Sequence, residues 1–369
     1  MSGTAIAAVL TKPETFDIRE MPIPDIGPDD GILRIEAGGL CGTDVEQFHG
    51  HLGGTGRDIM PIIPGHELMG HVEAVGADAA RRWGVKEGDR VALEAGVPCG
   101  QCRNCLKGAS KRCKRKLGYG LYRGVDYQHG LWGGYASHAY LHPQAVMHKL
   151  PDDVPTGVMS LFNPLAGATR WVYQTPKTGL GDSIVIEGPG QRGLLATLVA
   201  REAGAGTIIV TGTARDAHRL ELARRLGATH TIDVDAEDPV ARVADITGGE
   251  GVDIVLDISA GSTEPIVQAV DMVRPGGQIV LAGLKSNKPV TGLVTDKIVW
   301  NEIRLQGVLS SDWSSMEIAI DIIDRLRDEL DCLCTHTYPI EHAAQAVRVL
   351  AREIEDGPEA VHVHLQAKL

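Results

Sequence analysis

The chain has 369 residues, 43% of them hydrophobic and 45 of them glycine, which is room for about two domains of a globular protein rich in tight turns. Its net charge of −12 at pH 7 disfavours nucleic acid or an anionic membrane surface as a partner. No apolar run is long enough to span a bilayer, and the N-terminal stretch lacks the basic-then-apolar order of a signal peptide. Seven cysteines that read as metal-bound or isolated point to a reducing cytoplasm.

From residue 1 to about 155 the texture is rich in Gly, Pro and short β-type runs. Ala5–Leu10, Gly31–Ala37, His71–Val75 and Arg90–Leu93 predict strands separated by turn residues, hence a β-rich, barrel-like domain. After the second strand comes Cys41-Gly42-Thr43-Asp44, and further on Gly65-His66-Glu67. A thiolate, an imidazole and nearby carboxylates suit a zinc ion that keeps one position open for water or substrate. Asp44 is placed to orient the His66 ring through its second nitrogen, and Thr43 to pass on an alcohol proton. The run from His66 to His71 is not HExxH, because its second histidine comes one place late, so the metalloprotease reading fails.

Cys99, Cys102, Cys105 and Cys113 follow, with gaps of two, two and seven residues. Four thiolates this close predict a structural zinc lobe over residues 96–116. Such a site is closed, so it braces the chain and leaves the chemistry elsewhere. Lys111, Arg112, Lys114, Arg115 and Lys116 flank Cys113 and read as local charge balance or a solvated face. His129, His138 and His142 lie in an aromatic, glycine-rich segment and take no assigned role.

From about Thr178 strands and helices alternate. Ser183–Glu187, Thr207–Thr211, Val252–Ile258 and Gln278–Ala282 predict strands. Helices are expected over Leu194–Ala203, through Leu220, Ala223 and Leu226, and around Ile266–Val273. That order implies a parallel sheet covered on both faces. Gly188-Pro189-Gly190-Gln191-Arg192-Gly193 matches GxGxxG between a strand and an apolar helix, the context a dinucleotide turn requires. Gly188 permits the turn, Gly190 the approach of a pyrophosphate, and Gly193 close helix packing. No acid ends the second strand, where an NAD ribose is commonly held. Thr211, Gly212 and Thr213 stand there instead. Arg215 could meet a 2′-phosphate, Asp216 could curl back to a ribose, or Arg215 is an ordinary loop arginine. The balance tilts slightly to NADP.

In the last stretch Met316, Ala319, Ile320, Ile323, Leu326 and Leu330 recur at helical spacing. A further helix is expected around Ala346, Val347, Leu350 and Ile354. Cys332 and Cys334 read as core or surface thiols.

Taken together, Cys41–Asp44, Gly65–Glu67 with Gly70 and Gly76, the four-cysteine lobe and Gly188–Gly193 resemble the zinc-containing medium-chain dehydrogenases related to alcohol, sorbitol and threonine dehydrogenases. The resemblance covers nearly the whole chain. It implies an α/β protein: a GroES-like catalytic domain over 1–157, a Rossmann NAD(P)-binding domain over 158–300, and a segment 301–369 returning to the first. It also implies NAD(P)-linked interconversion of an alcohol and a carbonyl, a small-molecule substrate, an active site in the interdomain cleft, and a homo-dimer or homo-tetramer. Two positions depart from the family pattern. Asn163 stands where a Cys, Glu or Asp usually completes the catalytic zinc, and a neutral amide oxygen is a poor ligand. Glu67 could supply the carboxylate instead, Asn163 could bind weakly or through water, or the catalytic zinc is absent. Glu46 replaces a histidine common in the proton relay, and serves either as an alternative relay or as a loop carboxylate. His49 and His51 just beyond read as surface residues. The alternatives are a metal-free carbonyl or enone reductase of the same fold, and a non-catalytic nucleotide-binding protein.

Overall fold

A computed structural model describes residues 3–52, 59–115 and 117–367; Lys116 of the basic cluster lies outside them. The chain opens with an antiparallel hairpin of β1 (Thr4–Lys12) and β2 (Thr15–Pro22). β2 has no fully buried residue, although Phe16 and Met21 pack partly against the core. β3 (Gly31–Gly39), β4 (Glu67–Val75) and β5 (Arg90–Leu93) pair antiparallel in chain order. β4 starts four residues ahead of the expected His71, because Glu67, Leu68, Met69 and Gly70 are all buried and show no alternation. α1 (Gly42–Phe48) joins β3 to the loop before β4, and α2 (Ala77–Trp83) follows β4. The short strands β6 (Gly96–Val97) and β7 (Leu117–Gly118) pair across the base of the cysteine lobe, which contains the one-turn α3 (Arg103–Leu106). β8 (His138–Leu141) adds to β3 and β9 (Met147–Lys149) to β5, and α4 (Thr156–Met159) comes next.

After α5 (Phe162–Thr169) the alternation expected from sequence appears: β10 (Ser183–Glu187), α6 (Gln191–Glu202), β11 (Thr207–Gly212), α7 (Ala217–Arg225), β12 (His230–Asp233), α8 (Pro239–Thr247), β13 (Val252–Asp257), α9 (Glu264–Met272), β14 (Val273–Leu281), α10 (Thr295–Trp300) and β15 (Arg304–Gly307). The six strands are parallel, in the order β12-β11-β10-β13-β14-β15. Val185, Ile209, Ile232, Val255 and Ile279, one from each strand except the exposed β15, are fully buried in its core. At about 1.5–3 kcal/mol for each such side chain, burial on both faces is what holds a parallel sheet.

The stripe from Met316 to Leu330 is split between α11 (Trp313–Arg325) and α12 (Arg327–Leu330), with Leu326 at the break. β16 (Cys334–Pro339), α13 (Ala343–Leu350) and β17 (His362–Gln366) end the chain. Ile354 lies beyond α13 and is 39% exposed. β16 pairs with β17, and β17 pairs with β3, completing a seven-stranded sheet. Val347, Val363 and Leu365 share one core with Ala7, Leu33 and Leu68. The chain therefore forms two compact units, Met1–Asn163 with Ile320–Leu369, and Pro164–Ala319.

Candidate active site and metal centres

Cys41 caps α1. Its N–H donates to Asp44 Oδ2 at 2.9 Å, and the Asp44 N–H returns to the Cys41 carbonyl at 3.0 Å. This reciprocal cap fixes a thiol and a carboxylate within one turn. His66 stands on the turn into β4. Its predecessor Gly65 has φ 89°, and a Cβ there would lie 2.5 Å from the Tyr135 ring; glycine alone admits both the backbone and the ring. The result is a buried cluster. Cys41 Sγ and His66 Nε2 are 3.2 Å apart, and Asp44 Oδ1 is 3.5 Å from His66 Nδ1. One donor atom from each of Cys41, Asp44 and His66 lies within 4.8 Å of the others.

Burial opposes a charged imidazole here, but the Cys41 and Asp44 charges outweigh it and push the His66 pKa well above its ordinary value. The cluster therefore attracts positive charge. Zinc bonds of about 2.3 Å to sulfur and about 2.0 Å to nitrogen set the two donors roughly 3.6 Å apart, close to the separation seen. Cys41 and His66 thus fit a zinc ion, with Asp44 behind the ring as the orienting carboxylate.

Thr43, Glu46 and Glu67 adjoin this cluster along the chain, and Asn163 lies on the separate helix α5. Glu67 is fully buried at the start of β4, in register with Gly39. Its Oε2 lies 3.0 Å from where a Gly39 Cβ would be, so the carboxylate is directed over β3. Glu67 is not among the three residues whose donor atoms converge. Asn163 is 8% exposed, in the first turn of α5. Thr43 and Glu46 are half-buried on α1, and Glu46 lies 3.8 Å from His51. His49, read as a surface residue, links two other parts of the unit: it is 3.2 Å from Glu14 and 2.7 Å from Glu353.

Two neighbours escaped the sequence reading. The Tyr135 hydroxyl is buried and has no hydrogen-bond partner among the described residues. Burial, then the charges of Asp44, Cys41 and Glu67, raise its pKa far above the usual value. The other is His362, fully buried on β17 with Nε2 2.6 Å from Ser160 Oγ. Burial keeps that ring neutral, its pKa well below the usual value. The only sequence trace of Tyr135 was the small pair Gly133-Gly134 before it. His362 lies too far along the chain to suggest any partner.

In the lobe, the sulfurs of Cys99, Cys102, Cys105 and Cys113 all lie within 4.8 Å of one another, and all four cysteines are free. Cys102 Sγ is 3.5 Å from Cys105 Sγ and 3.8 Å from Cys113 Sγ. A tetrahedron with zinc–sulfur bonds of about 2.3 Å has edges of about 3.8 Å. Backbone N–H groups, that of Gln101 foremost, push the Cys99 thiol down to about 6, while desolvation and neighbouring sulfurs push Cys105 up to about 12. Thiols that resist ionising together are what a dication reconciles.

In the second unit, Gly188 has φ 106° and turns the chain from β10 into α6. A Cβ on Gly193 would lie 1.9 Å from the Gly188 carbonyl oxygen, so the helix can close on the turn only with glycine there. Gln191 and Arg192 are the first residues of α6. Arg192 turns away to stack over Trp171, 5.2 Å from its ring centre. Thr211 and Gly212 are buried at the end of β11. Asp216 accepts from the Thr213 N–H at 3.1 Å and its hydroxyl at 2.7 Å, so it caps the following turn. Arg215 is exposed, with no partner among the described residues. Arg219, one turn further along α7, brings Nη1 to within 4.0 Å of where a Gly190 Cβ would be. Sequence spacing singled out Arg215 because it lies nearer the strand end.

A nucleotide turn, a thiol-histidine centre and a four-thiol lobe define a zinc-binding dehydrogenase. Residues 27–152 match the alcohol dehydrogenase GroES-like domain, and residues 193–325 match the zinc-binding dehydrogenase domain. The chain is 39% identical to a protein of Mycobacterium tuberculosis (strain ATCC 25618 / H37Rv) named as a probable alcohol dehydrogenase, over 98% of this chain and 99% of that one. It superposes on an alcohol dehydrogenase from Thermotoga maritima with a TM-score of 0.89 at 28% identity, covering 99% and 100% of the two chains. A protein from Sinorhizobium meliloti 1021, described as a zinc-binding dehydrogenase and solved bound to NADP, gives 0.85 at 26% identity, covering 99% of each. The chain belongs to the zinc-containing medium-chain dehydrogenase superfamily, whose members are NAD(P)-linked alcohol oxidoreductases. No helix among the described residues is long and apolar enough to cross a membrane.

Proposed function

We propose that this chain oxidises a secondary, cyclic or polyhydroxylated alcohol to its carbonyl, and runs the reverse reaction, at a zinc ion held by Cys41 and His66. The observation that carries this is the buried pair itself, with Cys41 Sγ 3.2 Å from His66 Nε2 and Asp44 behind the ring. When bound, zinc supplies Lewis acidity at the substrate oxygen and the nicotinamide supplies the hydride acceptor. The protein does the rest. Asp44 holds the His66 ring. Thr43 and Glu46 are three apart on α1 and so share a face of the helix. Thr43 takes the alcohol proton, Glu46 receives it, and His51, 3.8 Å beyond and 65% exposed, gives it to water. Glu67 and Asn163 are the two buried candidates for a third ligand.

The unit carrying Cys41 and His66 is the catalytic domain on this reading, and the unit of β10–β15 is the nucleotide-binding domain. The dinucleotide turn is Gly188–Gly193, with Thr211 and Gly212 beside the adenosine ribose. Arg219, and the absence of a free acid at the end of β11, favour NADP. The seven free cysteines support a reducing cytoplasm. A second copy is the favoured partner: β15 is an edge strand with all four residues exposed, and Val299, Trp300 and Leu309 near it are 71%, 80% and 58% exposed. An edge of that kind invites pairing with another chain.

Zinc content of the natively purified protein tests the reading. About two ions per chain, falling to about one in His66→Ala, is the expected result. One ion in both proteins sinks the metal mechanism. It would leave a metal-free reductase, a reading that the neutral amide of Asn163 favours.

A further inference from the structure

In the six-stranded sheet the chain builds outward from β10 to one side, then returns and builds from β13 to the other. In such sheets the ligand crevice opens beyond the C-terminal ends of the two strands flanking that reversal. Here both of those strands end in an acid. Glu187 and Asp257 face each other in register across the β10–β13 ladder, 2% and 0% exposed. Two ionised carboxylates side by side in such a place repel strongly and are costly to bury.

One cation answers them. Lys285, on the loop after β14, is 8% exposed, and its Nζ lies 3.0 and 2.9 Å from the two oxygens of Asp257. It also donates to the Ser259 carbonyl at 2.7 Å and the Ser259 hydroxyl at 2.8 Å. Ser259 in turn donates its N–H and hydroxyl to Asp257 Oδ1 at 3.0 and 2.6 Å. An ammonium has three protons, and these contacts use all of them, so none is left for a phosphate. From the same loop Lys288 donates to the Gly261 carbonyl at 3.1 Å. Ser286 and Asn287 between the two lysines take φ of 50° and 60°, which turns the loop back so that both reach the segment after β13.

The far side of this arrangement is the dinucleotide turn. Ser259 N and Cα lie 3.3 and 3.2 Å from where a Gly188 Cβ would be, so Ser259 packs directly on the first glycine. Asp257 on β13 and Lys285 are the charged groups facing Glu187, and its in-register neighbour on β11 is the uncharged Thr211. Burial first, then the Asp257 charge, raise the Glu187 pKa well above the usual value, with Lys285 opposing the shift. The Lys285 counter-charge on Asp257 and the raised Glu187 pKa both lessen negative charge at the crevice floor.

We propose that Lys285 is a positioning residue for the dinucleotide: it ties Ser259 against Gly188 and cancels the Asp257 charge, so the turn keeps the shape and neutrality that the pyrophosphate needs. The proposal rests on reading Gly188–Gly193 as the dinucleotide turn. The test is fluorescence titration of the full-length protein with NADPH and NADH, alongside kcat at saturating cofactor and zinc content. Lys285→Met is expected to raise the Kd of the preferred dinucleotide by about tenfold or more, with kcat and zinc content within about twofold of wild type. Because that variant leaves a buried carboxylate without its counter-charge, Lys285→Met/Asp257→Asn guards against misfolding. It is expected to weaken binding by at least about threefold, because Ser259 has still lost its tie. A Kd unchanged in both variants, or a loss confined to kcat, overturns the assignment. A wild-type protein that binds neither dinucleotide overturns the reading of the turn itself, and so is told apart from failure at Lys285.

Discussion

Donor atoms converge both in the four-cysteine lobe and at Cys41, Asp44 and His66, and the two clusters differ in what the chain must do to make them. The lobe gathers all four donors from fifteen consecutive positions, Cys99 to Cys113, with spacing alone nearly sufficient. The cluster draws its donors from the cap of α1 and the turn into β4, twenty-five positions apart, and other residues position each: Asp44 for Cys41, and Asp44 with the Gly65 turn for His66. A site with four strong donors supports its own fold. A cluster whose donors come from separate elements depends on the fold for its shape.

Breaking the lobe should have the largest effect. Cys102→Ser is expected to remove one zinc per chain and cost several kcal/mol of stability, because structural zinc binding and local folding are coupled; metal analysis with thermal unfolding checks this. Breaking the cluster should leave the fold intact. His66→Ala is expected to lower kcat by roughly three powers of ten while Tm moves by only a few degrees, as read by steady-state assay and calorimetry. An equal fall in Tm for both variants would erase the distinction between a site that builds its surroundings and one that borrows them.

The third ligand sharpens the comparison. Asn163→Ala and Glu67→Gln should differ in zinc retention under dialysis, and the ligating residue should lose about 10–100-fold in affinity. Equal retention in both would assign the third position to neither. A smaller effect is expected on cofactor choice. Arg219→Ala should raise the KM for NADP by about tenfold and Arg215→Ala by less than about twofold, with the reverse order in kinetics rejecting Arg219. The smallest concerns Glu187. Its pKa is raised in the folded chain above the ordinary 4.5, so its stabilising share is complete below about 4.5 and is lost as pH rises through the folded value. Glu187→Gln should therefore gain on the wild type by about 1 kcal/mol as pH rises from 5 to 8, measured by denaturant unfolding. A constant difference across that range would show that Glu187 does not hold its proton.

What sequence reveals follows the same division. Spacing carried the lobe, the glycine turn and the strands with apolar runs, because those features are local. It missed β2, whose residues are at most half-buried, and set the start of β4 late, because its first four residues are buried without alternation. Tyr135 and His362 were invisible because their role comes from neighbours far along the chain. Arg215 drew attention by its closeness to β11, while Arg219 one turn later is the side chain that reaches Gly190.

The pairing of β17 with β3 also sets an order of events during synthesis. Residues 164–319 form their sheet from consecutive segments and can fold as soon as they leave the ribosome. The unit with Cys41 and His66 has to wait, because β16, α13 and β17 belong to its sheet and core and are made after residues 164–319. At about 5–20 residues per second, synthesis of residues 320–369 holds that unit incomplete for several seconds after the second unit's sheet has emerged. For that interval β3 lacks a neighbour, and the strand leading into Cys41 is open to mispairing or to a chaperone. The sheet beside Cys41 and His66 is thus completed only by segments made long after both residues.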